Sequence, residues 1–189
     1  MIELNLKDIV LNVDFSPIYM GQTESEVVKI LGEPEGRNDT GTGSVLFSYG
    51  GYEFYFFDNE LHYFQNDNLK ANCVNHTDWI LYQNNHFKIN PWFVSPNKDI
   101  SMKEVISLLK KEKAEFSIEN QKVAGVDYRV GEVKFIELLN GVSMNFEKKT
   151  TAINDLTDEM ILEGKELIFT DEMEFVLFAI RYEHFNQLE

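Results

Sequence analysis

Two stretches of the chain show the same order of elements, and this repetition limits the folds open to it. Residues 21 to 31 have apolar side chains at helical spacing and precede an aromatic segment at 45 to 66. Residues 101 to 109 have similar spacing and precede a second such segment at 133 to 154. We therefore expect an α+β protein with two tandem repeats, each a helix packed on an antiparallel β-meander.

The repeats divide the 189 residues into three predicted parts. Residues 1-68 form the first helix-plus-meander repeat, and residues 99-189 form the second, with a C-terminal helical extension. Residues 69-98 form an aromatic-rich connector that contains both tryptophans, Trp79 and Trp92. Because a passive linker rarely carries such large apolar side chains, we expect the connector to pack between the repeats or over the sheet.

Local signals set the limits of the first helix. Thr23 and Glu26 have the spacing of a capping box, in which each side chain accepts a hydrogen bond from the other residue's backbone. Gly32 ends the helix, and Pro34 prevents it from resuming. The turn-rich stretch from residue 35 to residue 44 is predicted to be a loop.

Turn signals also predict the register of the first meander. Two-residue turns at Gly50-Gly51 and Asn59-Glu60 place alternate side chains on two faces of the sheet. The predicted core face contains Val45, Phe47, Tyr49, Tyr52, Phe54, Phe56, Leu61 and Tyr63. The opposite face contains Ser44, Leu46, Ser48, Glu53, Tyr55, Phe57, His62 and Phe64.

The second meander is predicted in the same way from a two-residue turn at Asn140-Gly141. Its core face would contain Val133, Phe135, Leu139, Val142, Met144 and Phe146. Its opposite face would contain Lys134, Ser143, Asn145 and Glu147. Phe54 and Phe56 of the first meander then match Met144 and Phe146, each 90 residues later. The stretch from Ala114 to Val130 is expected to add a strand or two.

The C-terminal part contains two predicted helices. The first runs from Thr157 to Glu163, and a capping box of Asp171 and Glu174 opens the second. The second helix would place Phe175, Phe178, Ala179 and Tyr182 on one face. The alternative for residues 175 to 180 is a buried strand, since a short apolar run fits both structures.

The net charge of the chain limits the classes of partner that it is expected to bind. The chain has 32 acidic and 17 basic side chains, a formal net charge of -15. Such a surface repels nucleic-acid phosphates and attracts a basic protein partner. The first residues lack the features of a secretory signal, no apolar run reaches membrane-spanning length, and Cys73 is the single cysteine. We therefore expect a cytoplasmic protein without nucleic-acid or membrane contacts, whose oligomeric state stays open.

Signatures of catalysis are scarce. Cys73 and His76, with His62 and His86 nearby, lack the two short-spaced ligand pairs of a zinc site. Gly41-Thr42-Gly43 lacks the third glycine and preceding strand of a dinucleotide fingerprint. We expect neither catalytic residues, nor metal, nor cofactor. An uncharacterised hydrolase or metal enzyme that uses His62, Cys73 or His76 stays an alternative.

The face opposite the predicted core offers a better functional lead. Aromatic side chains bordered by acids are typical of protein interfaces. The predicted partner-binding residues are Glu53, Tyr55, Phe57, His62 and Phe64. Coverage of this face by the connector or by the C-terminal segment is the equally weighted alternative.

The segment from Met20 to Pro34, followed by the aromatic stretches 47-49, 54-57 and 61-64, resembles the helix-then-hairpin repeat of the outer-membrane-assembly lipoprotein (SmpA/OmlA) family. Tandem copies of this unit resemble the beta-lactamase inhibitory protein architecture, whose sheets form a concave protein-binding face. Acidic chains with a similar Gly-x-Thr…Leu-Gly-x-Pro unit also resemble bacterial immunity proteins. The last resemblance implies a protein that binds and neutralises a toxin domain. Together with the duplication, the charge of -15 and the scarcity of catalytic motifs, it leads us to expect a non-enzymatic immunity-type inhibitor that neutralises a basic toxin or enzyme domain. An envelope-assembly or scaffold module is the alternative that the lipoprotein family implies.

Overall fold

The computed structural model describes residues 1-41, 43-120, 133-148 and 175-184, with the backbone alone at residue 120. These ranges contain β1 (Ile2–Asn5), α1 (Leu6–Asn12), α2 (Glu24–Leu31), β2 (Gly36–Asp39), β3 (Ser44–Tyr49), β4 (Tyr52–Phe57), β5 (Glu60–Asn66), α3 (His76–Ile80), β6 (Phe87–Asn90), α4 (Met102–Lys111), β7 (Phe116–Asn120), β8 (Val133–Leu138), β9 (Val142–Lys148) and β10 (Phe175–Glu183). None of these four helices is long and apolar enough to cross a bilayer. The predicted α+β class is confirmed, whereas the tandem repeat stays a prediction.

Eight of the described strands form one antiparallel sheet, in the order β2-β3-β4-β5-β10-β9-β8-β7. Strand β10 lies between β5 and β9, where Arg181 is opposite Gln65 on one side and Ser143 on the other. The two predicted meanders are therefore joined into a single sheet by the last described strand. Strands β1 and β6 form a separate parallel pair.

The C-terminal helix predicted from Phe175 onward is wrong, and the strand alternative is confirmed. Residues 175 to 180 are apolar throughout, so their pattern has no helical or strand period of its own. As a strand between two others, β10 can satisfy its backbone donors and acceptors on both sides. The register with β9 shifts between Leu177 and Ala179, which marks a bulge at Phe178. The helix predicted at 157-163 and the capping box at 171-174 lie outside the described residues.

One face of the sheet, here called the core face, contributes to the buried core together with the helices. Val27 and Leu31 of α2 belong to the same buried cluster as Val105 and Leu109 of α4. The strand residues of this cluster include Val45, Phe47, Tyr49, Tyr52, Phe54, Phe56, Leu61, Phe64, Ile136, Leu138, Val142, Met144, Phe146 and Ile180. The opposite face of the sheet is here called the outer face.

Helix α2 begins and ends as predicted. The backbone amide of Thr23 donates to Glu26 Oε2 at 2.9 Å, and the Glu26 amide donates to Thr23 Oγ1 at 3.4 Å, which completes the capping box. Gly32 follows the helix with φ +81°, and a Cβ there would lie 2.7 Å from the ring of His86. Both the backbone angle and the close ring therefore require glycine at this position.

The register of the first hairpin is confirmed, and that of the second is wrong. Strands β3 and β4 pair Tyr49 with Tyr52, as expected for a turn at residues 50-51. The next turn lies at Asp58-Asn59, both with positive φ, so that Phe57 is opposite Glu60. A register shift follows at residue 62, because Tyr55 pairs with Tyr63 while Phe56 pairs with Leu61.

This bulge moves each residue that follows it to the face of the sheet opposite the predicted one. An extra residue in one strand reverses the alternation, so side chains after the bulge point opposite to the unbroken pattern. Phe64, predicted on the partner-binding face, is fully buried in the core. Tyr63, predicted in the core, lies on the outer face opposite Tyr55.

The predicted register of the β8–β9 hairpin is also wrong by one residue. Its loop has three residues, Leu139 to Gly141, with Gly141 at φ +87° and its amide bonded to the Leu138 carbonyl. Glu137 therefore faces Ser143 and not Met144. Consequently Val133 and Phe135 leave the predicted core face, Leu139 is 80% exposed, and Ile136 and Leu138 take the core positions. Lys134 lies on the core face, 4.6 Å from the centre of the Phe175 ring.

Strands β2 and β7 lie at the two ends of the sheet, and the connector packs on its core face. The predicted loop at 35-44 is wrong in part, because β2 pairs with the free edge of β3. Strand β7 is one of the strands expected after Ala114, and the remaining expected residues, 121-130, lie outside the described ranges. In the connector, the rings of Tyr82 and Phe87 contact Tyr49, and the Tyr52 hydroxyl donates to the Ile80 carbonyl at 3.0 Å. These contacts all lie on the core face.

The buried position of Phe64 gives a stability prediction. Phe64→Ala should lower the free energy of unfolding by about 3 to 5 kcal/mol, because it leaves a cavity beside Phe15 and Phe54, whose rings lie 5.3 Å away. Phe57→Ala, at a side chain that is 50% exposed, should cost less than about 1 kcal/mol. Urea unfolding followed by circular dichroism measures both. Equal losses, or a larger loss for Phe57→Ala, would contradict the bulged register.

Candidate functional site

The outer face of β4 and β5 carries a compact group of polar and aromatic side chains. Glu53 pairs with Gln65 and Tyr55 pairs with Tyr63, so the four residues form two adjacent cross-strand pairs. Gln65 is buried, and the other three are half-buried. We call these four residues the Glu53–Tyr63 cluster.

Hydrogen bonds hold the Glu53–Tyr63 cluster together. The Gln65 Nε2 group donates to Glu53 Oε2 at 2.6 Å and to the Tyr55 hydroxyl at 3.1 Å. The Tyr63 hydroxyl donates to Gln65 Oε1 at 2.8 Å, and the Tyr55 hydroxyl donates to Glu53 Oε2 at 3.1 Å. The buried amide thus has partners on both of its polar atoms and fixes the positions of the carboxylate and both phenols.

The two tyrosine rings are also in contact with each other. Their centroids lie 5.1 Å apart with an interplanar angle of 78°, an edge-to-face arrangement that suits the opposite charges of ring edge and ring face. Phe57 continues the aromatic surface along β4, and its side chain is half exposed. The outer face therefore presents rigid aromatic side chains beside a carboxylate.

Burial raises the pKa of both phenols in the cluster. For Tyr55 the loss of solvent acts first, and the charge and hydrogen bond of Glu53 add to it. For Tyr63 burial raises the pKa to about 12, with Arg181 opposing and Glu183 reinforcing the rise. Both phenols therefore stay protonated at neutral pH and act as the donors that the network needs.

A row of polar residues crosses the outer face from strand to strand. Glu53 is opposite Gln65, Gln65 is opposite Arg181, Arg181 is opposite Ser143, and Ser143 is opposite Glu137. Five neighbouring strands, β4, β5, β10, β9 and β8, each supply one member. Neighbouring strands lie about 4.8 Å apart, so the row extends over roughly 19 Å.

Arg181 stands in the middle of this row. Its Nε atom is buried and has no hydrogen-bond partner within the ranges that the structure describes. Leaving a buried donor unpaired costs on the order of 1 to 3 kcal/mol. Such a group is therefore the kind of feature that a ligand can satisfy.

The structure separates the five predicted partner-binding residues. Glu53 and Tyr55 belong to the cluster, and Phe57 extends it as an exposed neighbour. His62 lies in the bulge, with its ring 6.3 Å from that of Phe57 and 6.5 Å from that of His184. Phe64 does not belong to the site, because the bulge turns it into the core.

Sequence reasoning missed three members of the site: Tyr63, Gln65 and Arg181. Tyr63 and Gln65 would have been placed correctly if the bulge at residue 62 had been recognised. No local signal identifies Arg181, because its position depends on the insertion of β10 into the sheet. The partners of β10 are distant in sequence, so local patterns cannot predict them.

Of the residues considered for an enzyme, His76 is engaged in hydrogen bonds with two loops. His76 is buried, its Nδ1 accepts a hydrogen bond from the Asn97 amide at 2.9 Å, and its Nε2 lies 3.2 Å from the Leu69 carbonyl. With Nδ1 as acceptor, the proton is on Nε2 and the ring ties two loops together. Within the described ranges, no three His, Cys, Asp or Glu side chains are grouped in a way that could hold a metal ion.

A separate cavity of about 300 Å³ lies beside the loop from Val13 to Met20, and Tyr182 and His184 also line it. None of the Glu53–Tyr63 cluster lines this cavity. Its walls include the phenol of Tyr182, whose pKa is raised by burial. The cavity and the outer face are therefore distinct features.

Comparison of the chain with protein-family models, with curated proteins and with solved structures finds no match. The resemblances to lipoprotein, inhibitory-protein and immunity-protein families thus stay predictions.

The raised phenol pKa values predict how stability depends on pH. A tyrosine whose pKa is higher in the folded state stabilises the fold fully below about pH 10, the unfolded value, and loses this contribution as the pH rises toward the folded pKa. Tyr63 should therefore ionise near pH 12, and the free energy of unfolding should fall between about pH 10 and 12.

A pH titration of the variant Glu53→Gln tests the contacts within the cluster, because the substitution removes a charge that raises the pKa of Tyr55. Ring signals of labelled tyrosine in NMR spectra should show a lower midpoint for Tyr55 in this variant, while burial keeps it above 10. A Tyr55 midpoint that does not change would contradict the contact between the two side chains.

Proposed function

We propose that the protein is a non-enzymatic binding protein of the immunity type, which neutralises a basic toxin or enzyme domain with the outer face of its sheet. The observation that carries this proposal is the Glu53–Tyr63 cluster: two half-exposed tyrosines and a carboxylate held in place by a buried glutamine. The hydrogen bonds of the cluster join β4 and β5, and its half-buried side chains lie on the side of the sheet that faces away from the core.

The aromatic side chains supply the binding energy in this proposal. Tyrosine is enriched among the residues that dominate protein interfaces, since it offers a large contact area with two rotatable bonds. Hydrogen bonds already restrain Tyr55 and Tyr63, so little side-chain entropy is left to lose when a partner binds. Phe57, with half of its surface exposed, adds apolar area at the border of the site.

Charge determines the kind of partner. The net charge of -15 attracts a basic protein over long range and raises its association rate at low salt. On the outer face, Glu53 and Glu137 carry this negative charge to the binding surface itself, whereas Glu147 is paired with Lys70. A toxin domain that binds or cuts nucleic acid has the basic surface that would complement it.

In this proposal the protein acts in the bacterial cytoplasm without a cofactor, and it protects the cell by covering the active surface of the toxin. The first partner to test is the product of a gene that neighbours the gene for this chain, if that product ends in a basic domain. Binding is measured with the purified domain by isothermal titration calorimetry at two salt concentrations.

Removing the aromatic anchors should weaken this complex strongly. The double variant Tyr55→Ala and Phe57→Ala should lower the affinity by a factor of about 100 or more, since interface anchors often contribute 2 kcal/mol or more each. The matched control, Ile118→Ala with Leu139→Ala, removes two exposed apolar side chains away from the cluster and should bind like the wild type. Circular dichroism confirms that each variant is folded. Wild-type affinity in the first variant would reject the outer face as the site.

A further inference from the structure

Two opposite charges on the outer face are held apart by a neutral residue. Glu53 on β4 and Arg181 on β10 both lie opposite Gln65 of β5, so two strand spacings, about 10 Å, separate their backbones. Gln65 Nε2 donates to Glu53 Oε2 at 2.6 Å, and so draws this carboxylate toward the middle strand without neutralising it. Neither charge forms an ion pair with the other, or with another side chain of the described ranges, within 4.0 Å.

Glu53 is arranged to accept a planar cation. Its Oε2 atom receives both internal hydrogen bonds, from Gln65 and Tyr55, whereas no described residue donates to its Oε1 atom. The Tyr55 hydroxyl bonds to this carboxylate, and the Tyr55 ring contacts that of Tyr63. A guanidinium group can donate to Oε1 and lie against a tyrosine ring, and both contacts favour arginine over lysine.

Arg181 is arranged to accept a carboxylate. Its Nε atom is buried without a hydrogen-bond partner in the described part of the chain, while Ser143 and Gln65, its neighbours in the row, are neutral. Once the Arg181 side chain turns to expose Nε, a carboxylate can bind Nε and a terminal nitrogen of the same guanidinium together, which is the strongest geometry for this pair. Binding of such a group would give the Nε donor a partner; the other unpaired buried donor of the described ranges, Asn66 Nδ2, lies on the adjacent pair of the same two strands.

We propose that the partner's surface presents an arginine and a carboxylate about 10 Å apart, the arginine to bind at Glu53, Tyr55 and Tyr63, and the carboxylate to bind Arg181. This inference rests on the proposed function and deepens it, because it specifies the charge pattern that the partner must carry. The two contacts fix the register of the partner along the polar row, since reversing the partner would bring like charges together. General negative charge attracts any basic protein, whereas this pair selects among basic proteins.

Small probes test each half of the pattern on the full chain without knowledge of the partner. The cationic probe is N-acetyl-arginine amide, with N-acetyl-citrulline amide as the uncharged control of the same shape. The anionic probe is acetate. Chemical shifts are followed by NMR at constant ionic strength, for the tyrosine ring signals and for the arginine Nε–Hε signals.

The arginine probe should saturably shift the ring signals of Tyr55 and Tyr63, and citrulline should not. Glu53→Gln should abolish the response, while Glu137→Gln, at the other end of the same row, should keep it. The Glu53→Gln side chain can still accept hydrogen bonds at its amide oxygen, so the fold is retained. Shifts spread evenly over the tyrosines, or a response that survives Glu53→Gln, would overturn the arginine site.

Acetate should shift the Nε–Hε signal of Arg181 more than that of Arg37, whose guanidinium is already paired through Nη2 with Glu24 at 2.9 Å. Equal shifts of the two arginines, or no shift of Arg181, would overturn the carboxylate site.

These outcomes are separate from those of the proposed function. The affinity of a partner can depend on Tyr55 and Phe57 while neither probe binds at a specific site. That result would support the proposed function and reject the charge pattern.

Discussion

Backbone pairing along both edges of β10 is the interaction on which the rest of the structure depends. The strand pairs with β5 through residues Ile180 to Glu183 and with β9 from Phe175 to Tyr182. Without it, the described sheet would consist of two smaller sheets, each with an additional unpaired edge. Five of its six residues from 175 to 180 are buried apolar side chains, so the same strand also fills the core between the two halves. The pairing of β10 with β5 joins residues more than 110 positions apart in sequence, an arrangement typical of slow folding.

The parts of the fold that could be predicted from the sequence are those set by neighbouring residues. The capping box of Thr23 and Glu26 and the turn at Gly50-Gly51 are each encoded within a few positions, and both are confirmed. The two wrong register predictions each differ from the structure by a single residue, but each places many side chains on the wrong face of the sheet. One extra residue at His62, and one extra residue in the loop before Val142, each reverse the face of a strand. Alternation alone predicts neither, because it assumes that the ladder is unbroken.

In the candidate site too, the residues positioned by local signals are predicted correctly and those positioned by distant contacts are not. Glu53, Tyr55 and Phe57 lie before the bulge, and their predicted place on the outer face is confirmed. Phe64 lies after the bulge and is buried in the core, so Tyr63 lies on the outer face in its stead. Gln65 and Arg181 depend on contacts that join distant parts of the chain. The apolar run of β10 fits a helix as well as a strand, and the decision between them comes from the free edges of β5 and β9, which need partners. The tertiary structure therefore determines the centre of the site.

Strand β10 also links the fold to the proposed function, because the polar row is continuous only where Arg181 lies between Gln65 and Ser143. The most direct test is the observation of interstrand nuclear Overhauser effects in the full-length protein. We predict contacts from the backbone of Arg181 to that of Gln65 and also to that of Ser143, together with slow amide exchange in the paired stretch of β10. Contacts to only one of the two neighbours, or helical contacts between residues three positions apart within 175-183, would contradict the joined sheet and the polar row on which the proposed function depends.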